Sequence, residues 1–456
     1  MRSIGKLKVY HSSEIEKSNV SIGFECLDRE LFNPERCYDW LGKSGVKYAR
    51  CQTGWNLCEK EKGVYTFEWL DSVIDNLLSR GVQPWLSVTF GNRLYMPDVP
   101  EWNKTCVGCV PLCFGEEALQ AWKNFVREIA KRYKGRVTHY EIWNEPEIKP
   151  FWYPEEPSGT KYAELVRLTG GIIREENPGA RIGAVVSSAR AFRFIRQLLE
   201  SLKPEELDFF CYHIYSRFPE HGHVSLMGQL HALLDEHGMQ HVQVWQGEGG
   251  YPSWAYEGHW LVREGCDDER PQAVYLLRRY FLDMACGAAM SSFFQMVDLW
   301  EKPYAKANEV LKKPAGHGIL HGIEYTPKES YRAISHMAAI FSGDIKATRN
   351  YIGVNAEGTA VPEWLSIQTM SFTRNGRIFY AYYLPTDLSK AVELPYKAAA
   401  SVYGVMKDPV LIDTYTGEVY EVEHKEHDQE LTLFPDLPIR DYPLVIADRD
   451  TFEIDA

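Results

Sequence analysis

The sequence predicts an α/β chain, a (β/α)8 TIM barrel followed by an all-β sandwich domain. From Ser21 to about Phe341, short β-branched and aromatic runs alternate with longer amphipathic stretches, the signature of repeated βα units around a parallel sheet. Eight such units can be counted, and closure into a barrel is the economical way to arrange them. Beyond Phe341 the helical period stops, and strand-like runs punctuated by turn signals continue to the end.

Taken in order, the barrel strands are expected at Ser21–Glu25, Val46–Cys51, Gln83–Phe90, Val137–Trp143, Arg181–Val186, Leu207–Ile214, Val242–Gly247 and Ser291–Val297. Between them, helices are expected around Pro34–Ser44, Phe67–Arg80, Glu116–Tyr133, Lys161–Glu176, Ala189–Ser201, Ser225–His237, Arg270–Gly287 and Pro327–Phe341. The third helix shows the basis of the assignment. Leu119, Trp122, Phe125, Val126, Ile129 and Tyr133 recur at three- and four-residue spacing and form one apolar face. Two connections are long, Gly91 to Gly115 and Asp298 to Tyr325, and both leave strand C-terminal ends, where barrels keep their active sites. In the sandwich, strands are expected at Trp364–Phe372, Arg377–Leu384, Ala400–Val405, Val410–Asp413, Val419–Glu423, Glu430–Phe434 and Pro443–Ala447, with turns at Asn375–Gly376 and Thr416–Gly417. The expected division is an N-terminal segment 1–20 whose Lys6–Tyr10 could add a sandwich strand, a barrel over 21–343, and the sandwich over 344–456.

The 456 residues carry a net charge of −13 with no cluster of lysine and arginine, which makes nucleic acid and anionic membrane surfaces poor partners. No apolar run approaches the roughly 20 residues that span a bilayer. The start has basic residues but no apolar core and no small-residue cleavage site, so a cytoplasmic protein is expected, or a secreted one if the chain was trimmed. Of the ten cysteines, Cys26, Cys51, Cys211 and Cys286 lie in apolar segments where thiols act as small buried hydrophobes. Cys106, Cys109 and Cys113 are closely spaced on the long loop and could hold a structural zinc with Cys58 as fourth ligand. Free thiols, or a disulfide in an exported protein, are the other outcomes.

The chemistry is concentrated at two strand ends. Tyr140-Glu141-Ile142-Trp143-Asn144-Glu145-Pro146 delivers an Asn-Glu pair after a strand, and Pro146 biases Glu145 away from the helical region. About a hundred residues later, His241 to Gly250 repeats the pattern and ends in Glu248 between glycines, which permit unusual φ and close approach of a substrate. A phosphate-binding glycine turn competes for this second segment, but a carboxylate at its centre would repel phosphate. Two strand-end carboxylates suit glycoside hydrolysis.

The run Trp143-Asn144-Glu145-Pro146-Glu147-Ile148-Lys149-Pro150-Phe151-Trp152, with Asn177-Pro178-Gly179-Ala180-Arg181-Ile182-Gly183 after the next helix, resembles the glycoside hydrolase clan A barrels, most closely family 39. That resemblance implies Glu145 as general acid/base and Glu248 as nucleophile of a retaining mechanism, with carboxyl groups about 5 to 5.5 Å apart. Glu145 then needs a raised pKa while Glu248 stays ionised, and Arg50, at the end of the second strand, is the residue expected to keep Glu248 charged. An ordinary interior ion pair is the alternative for Arg50. The resemblance also sets Asn144 against the sugar 2-hydroxyl, Tyr215 on the nucleophile and His213 along the subsite. Trp300, just beyond the eighth strand, could be an apolar floor for the ring. For His213 a satisfied structural histidine is the competing reading, and for Trp300 a tryptophan packed under the loop.

Two departures bear on the substrate. The family usually carries His-Gly soon after the strand-2 arginine, where this chain has Arg50-Cys51-Gln52-Thr53-Gly54-Trp55. Gly247 stands where threonine is typical. The reading is therefore a retaining β-glycosidase, exo-acting, with no organic cofactor, an oligosaccharide or glycoside as its partner, and a homo-oligomer allowed. Its rivals are a catalytically inactive carbohydrate-binding barrel, an endo-acting glycanase of the same clan, and a barrel lyase or aldolase. The last expects a strand-end lysine and a phosphate turn, and neither is evident.

Overall fold

The computed structural model describes residues 1–100, 103–255, 259, 261–262, 266–299, 316–357, 366–388 and 397–455. Eight strands close into a barrel: β1 (Val20–Gly23), β2 (Tyr48–Gln52), β3 (Gln83–Val88), β4 (His139–Ile142), β5 (Arg181–Val186), β6 (Phe209–His213), β7 (Gln243–Glu248) and β8 (Met290–Phe293). Every neighbouring pair, including the closing pair β8–β1, is parallel. Helices cover the outer face of a parallel barrel, so its strands are buried on both sides, and β1 and β6 are buried throughout.

The crossover helices are α1 (Tyr38–Lys43), α2 (Glu68–Ser79), α3 (Glu116–Arg132), α4 (Gly159–Glu176), α5 (Phe192–Ser201), α6 (His223–Glu236), α7 (Glu269–Ala285) and α8 (Glu329–Ile340). The stretch expected to be one helix from Pro34 divides instead. A 3-10 turn over Pro34–Arg36, capped by the Asn33 side chain, precedes α1. In α3, Trp122, Phe125, Val126 and Ile129 are buried as the spacing demands, whereas Leu119 sits half-buried at the edge and Ala118 and Ala121 take inner positions. Trp122 Nε1 donates to Thr169 Oγ1 at 3.0 Å and ties α3 to α4. Helix α7 differs from the rest, being buried continuously from Pro271 to Met284 because it has the barrel on one side and the C-terminal region on the other. The ring pairs Phe281–Phe341, Phe281–Phe372 and Phe372–Phe379 carry the packing from α7 into that region.

The C-terminal region holds two antiparallel sheets. One has eight strands and runs Ile345–Thr348, Gln368–Arg374, Arg377–Tyr383, Leu444–Asp448, Pro409–Asp413, Glu418–Glu421, Arg2–Leu7, Ile454–Asp455. The other has four: Ile352–Glu357, Lys397–Tyr403, Leu431–Pro438 and Lys425–His427. Tyr382 reaches between them, its hydroxyl donating to Pro438 O at 2.8 Å. The N-terminal strand does join this sandwich-like layer, but as Arg2–Leu7 against Glu418–Glu421, a few residues earlier than expected. Among the described residues no helix is long and apolar enough to cross a membrane.

Candidate active site

The C-terminal ends of β1, β2, β4, β6 and β7 bring seven charged or polar side chains together around one buried cation. Arg50, on β2, points into the barrel with no exposed surface. Its Nη1 donates to Glu248 Oε2 at 2.8 Å and to Glu25 Oε1 at 3.0 Å. Its Nε and Nη2 both donate to Glu141 Oε1, and Nη2 also reaches Asn144 Oδ1 at 2.8 Å. Burial alone would lower the Arg50 pKa. The carboxylates of Glu141, Glu25 and Glu248 outweigh it and hold the guanidinium charged.

Local backbone geometry aims the two strand-end glutamates. Beyond β4, Trp143 and Glu145 both adopt left-handed φ, 75° and 45°, which side-chain-bearing residues enter only when the surroundings impose it. Ser87 Oγ donates to Trp143 O at 2.9 Å, and Trp143 Nε1 donates to Phe151 O at 2.7 Å, so the turn is held from both sides. In β7 the register against β6 slips between Gln246 and Glu248, a bulge of the kind that re-aims a side chain. The glycines around Glu248 do not supply unusual φ, contrary to expectation, since none of Gly247, Gly249 and Gly250 has a positive value. Their role is close approach. A Cβ at Gly249 would lie 2.5 Å from Ile214 O, and one at Gly250 2.4 Å from Phe294 O.

Glu248 is held on both oxygens, by Arg50 and by the Tyr215 hydroxyl at 2.6 Å. Among the described residues Glu145 has His213 alone, with Nδ1 at 2.8 Å from its Oε1. His213 Nδ1 and one carboxylate oxygen from each glutamate all lie within 4.8 Å of one another. The Glu145 and Glu248 side chains are 13% and 15% exposed, against none for Arg50, Glu141 and His213, so the two acids are where this cluster opens to solvent. Burial pushes the Glu145 pKa up to about 7, with Arg50 opposing and Glu141 adding to the shift. Burial lowers the His213 pKa, leaving a neutral ring.

A model of glycosyl hydrolases family 39 matches residues 32–352, well over half of the chain. The chain belongs to glycosyl hydrolase family 39. It is 24% identical over 327 residues to a β-xylosidase of Caldicellulosiruptor saccharolyticus and 20% identical over 181 residues to one of Geobacillus stearothermophilus. These matches cover 66% and 35% of this chain and span 62% and 32% of the relatives' lengths. Among solved structures, a family 39 glycoside hydrolase from Bacteroides cellulosilyticus WH2 superposes with a TM-score of 0.68 at 16% identity, covering 97% of this chain and 83% of that one. A family 39 β-xylosidase from Caulobacter crescentus gives 0.56 at 14% identity over 98% of each chain.

Within this family 39 chain, six of the seven residues singled out from sequence converge: Glu145, Glu248, Arg50, Asn144, His213 and Tyr215. Trp300 lies outside the described residues. Glu25 and Glu141 were missed. Each sits on or just past a barrel strand, in Ser21–Glu25 and in Tyr140–Ile142, and an acidic residue inside so apolar a run was the available signal. Gln52, at the departure after Arg50, turns its Oε1 to Arg29, whose Nε also pairs with Asp28 at 3.3 Å.

The zinc expectation finds no ligand set. Among the described residues Cys106, Cys109 and Cys113 do not form a group of three with converging donor atoms. Cys58, the expected fourth ligand, donates its thiol to Thr53 O at 3.2 Å. The loop turns at Cys106, whose φ is 53°, and packs Cys106 and Cys109 as buried thiols while Cys113 stays half-exposed.

Proposed function

We propose that the chain is a retaining β-glycosidase in which Glu248 attacks the anomeric carbon and Glu145 protonates the leaving oxygen. The observation that carries this reading is the unequal dressing of two closely spaced strand-end glutamates. Glu248 accepts from a guanidinium and a phenol, which favour its anion, whereas Glu145 is buried beside a neutral histidine and has a pKa pushed up to about 7. Oxygens within 4.8 Å of each other favour the retaining spacing of about 5 to 5.5 Å over the 6.5 to 9.5 Å that leaves room for an attacking water. In the first step Glu248 displaces the aglycone as Glu145 gives up its proton. In the second, Glu145 takes a proton from water, which frees the sugar with its original configuration. Asn144, fixed by Arg50, is in position to hold the sugar 2-hydroxyl as the transition state forms.

The β-xylosidase relatives make a terminal β-xyloside the first substrate to test, with exo cleavage the proposed mode. A 2-fluoro-xyloside with an activated leaving group should label Glu248, as read by peptide mass mapping. Time-resolved NMR of an accepted aryl glycoside should show the retained anomer first. Labelling of another residue, or an inverted first product, would overturn the mechanism.

A further inference from the structure

Three carboxylates share one buried guanidinium. With Glu25, Glu141 and Glu248 all ionised around Arg50, the cluster would hold two excess negative charges where solvent barely reaches, an arrangement that favours protonation of one acid. The hydrogen bonds say which. Glu141 Oε1 receives two N–H groups. Glu248 receives Arg50 and Tyr215, and it reaches solvent. Glu25 receives a single bond from Arg50, 3.0 Å from the nitrogen it shares with Glu248. Among the described residues its Oε2 is buried without a partner, as is Glu141 Oε2, so the two acids differ in the number of Arg50 bonds they receive. It is the poorest of the three sites for a negative charge.

We propose that Glu25 is protonated in the resting protein, with the proton on Oε2, and acts as a positioning residue that steadies Arg50 Nη1 while leaving Glu248 as that nitrogen's ionised partner. The proposal rests on the reading of Glu248 as the nucleophile. A neutral acid still accepts through Oε1, so Nη1 keeps a partner when the Glu248 anion is consumed in the ester. An unpartnered buried hydroxyl costs less than a buried anionic oxygen in the same place. The groups facing Glu25 are Arg50 and Cys51 on β2, Cys26 and Arg29 on its own segment, Tyr215 beyond β6, and Glu248 on β7. Of the two cations, Arg29 is already engaged by Asp28. Burial raises the Glu25 pKa to about 8, Arg50 opposing and Glu248 reinforcing. Space for the carboxyl exists because residue 23 is glycine. A Cβ there would lie 2.2 Å from Glu25 Oε2.

Infrared difference spectroscopy tests the protonation directly, in a Glu145→Gln background that removes the other raised glutamate of the site. The carbonyl stretch of a protonated carboxylic acid should persist above about pH 6, well past the ordinary glutamate range, and disappear in Glu25→Gln/Glu145→Gln. Should that double variant fail to fold, Glu25→Asp, which keeps the acid but moves it off Arg50, assigns the band by displacement. No such band, or a band indifferent to residue 25, overturns the proposal. Kinetics give a second arm. Glu25→Gln should leave the acid limb of kcat/KM within about 0.3 pH of its position, since a neutral group replaces a neutral group, while Glu25→Ala should lower kcat about tenfold by removing the second acceptor of Nη1. An acid limb displaced by a full unit in Glu25→Gln would mean an ionised Glu25. A chain with the infrared band but no glycosidase turnover would sink the functional reading and leave the protonation standing.

Discussion

Tyr212 and His213 are neighbours on β6, yet they belong to two different buried arginine networks, because successive strand residues point to opposite faces. His213 faces into the barrel, toward Glu145 and the Arg50 cluster. Tyr212 faces out toward α7, where its hydroxyl donates to Asp283 at 3.0 Å. Asp283 is also paired with Arg279 one helical turn away, accepts from Ser291 Oγ at 2.7 Å, and lies 3.2 Å from His223 Nε2. Both networks are buried, so burial does not distinguish them. Charge balance does. Arg279 meets one carboxylate, whereas Arg50 meets three with a fourth acid beside them. The balanced network fixes a helix against the barrel, whereas the unbalanced one crowds several acids with different partners around one cation, the kind of setting that perturbs acids at functional sites.

The largest effect should come from the unbalanced side. Glu248→Ala is expected to lower kcat by about 10^4-fold or more, as loss of a covalent nucleophile does, with thermal stability little changed. Azide or formate should restore turnover and give product of inverted configuration. Substantial activity without rescue would show that the excess charge at Arg50 serves something other than a nucleophile. Glu145→Ala should cost about 10^2- to 10^4-fold on glycosides with poor leaving groups, the range for lost general acid catalysis. Activated aryl glycosides, which need little protonation, should still form the glycosyl-enzyme. Equal losses on both classes would remove Glu145 from the acid role.

The balanced side should answer in stability. Arg279→Met leaves Asp283 buried without its cation and should destabilise the fold by about 3–5 kcal/mol, the usual cost of breaking one partner from a buried pair. Denaturant melts measure this, and kcat per folded molecule should hold. A variant that melts normally but loses turnover would mean the two networks are coupled through β6.

The contrast was only half legible in the sequence. Periodicity gave the eight barrel units because strands buried on both faces and helices with one apolar face leave strong local patterns, as Trp122, Phe125 and Ile129 do in α3. Glu145 and Glu248 were legible because each ends a strand-like run. Glu25 and Glu141 were not assigned, since their partner Arg50 is distant in sequence and only barrel closure brings them together. The short strands Ile345–Thr348 and Ile352–Glu357 were missed for a similar reason. They carry few large apolar residues, and pairing with strands further along the chain defines them. The cysteine spacing brings Cys106 and Cys109 side by side, but among the described residues no third donor joins them, and Cys58 has a backbone acceptor of its own.

The smallest expected effect separates the networks by the sign of their response to pH. Asp283 is pushed up by burial but pulled down further, chiefly by Arg279 and His223, to about 2, below its ordinary value. Its contribution to stability is present above the unfolded pKa near 4 and is lost as pH falls toward about 2. Glu145 runs the other way. With a folded pKa of about 7 against an ordinary value of 4.5, the folded state binds more protons between those limits, so stability declines as pH rises through that window. Replacing Glu145 with glutamine removes that proton linkage and keeps the shape. Glu145→Gln should therefore be more stable than the parent at about pH 8, by an order-of-magnitude 1–3 kcal/mol at 1.36 kcal/mol per pKa unit, with the advantage vanishing near about pH 4. Paired denaturant melts across that range would show it. A gap that did not change with pH would mean Glu145 titrates normally in the fold, and burial would then fail to explain how this acid keeps its proton.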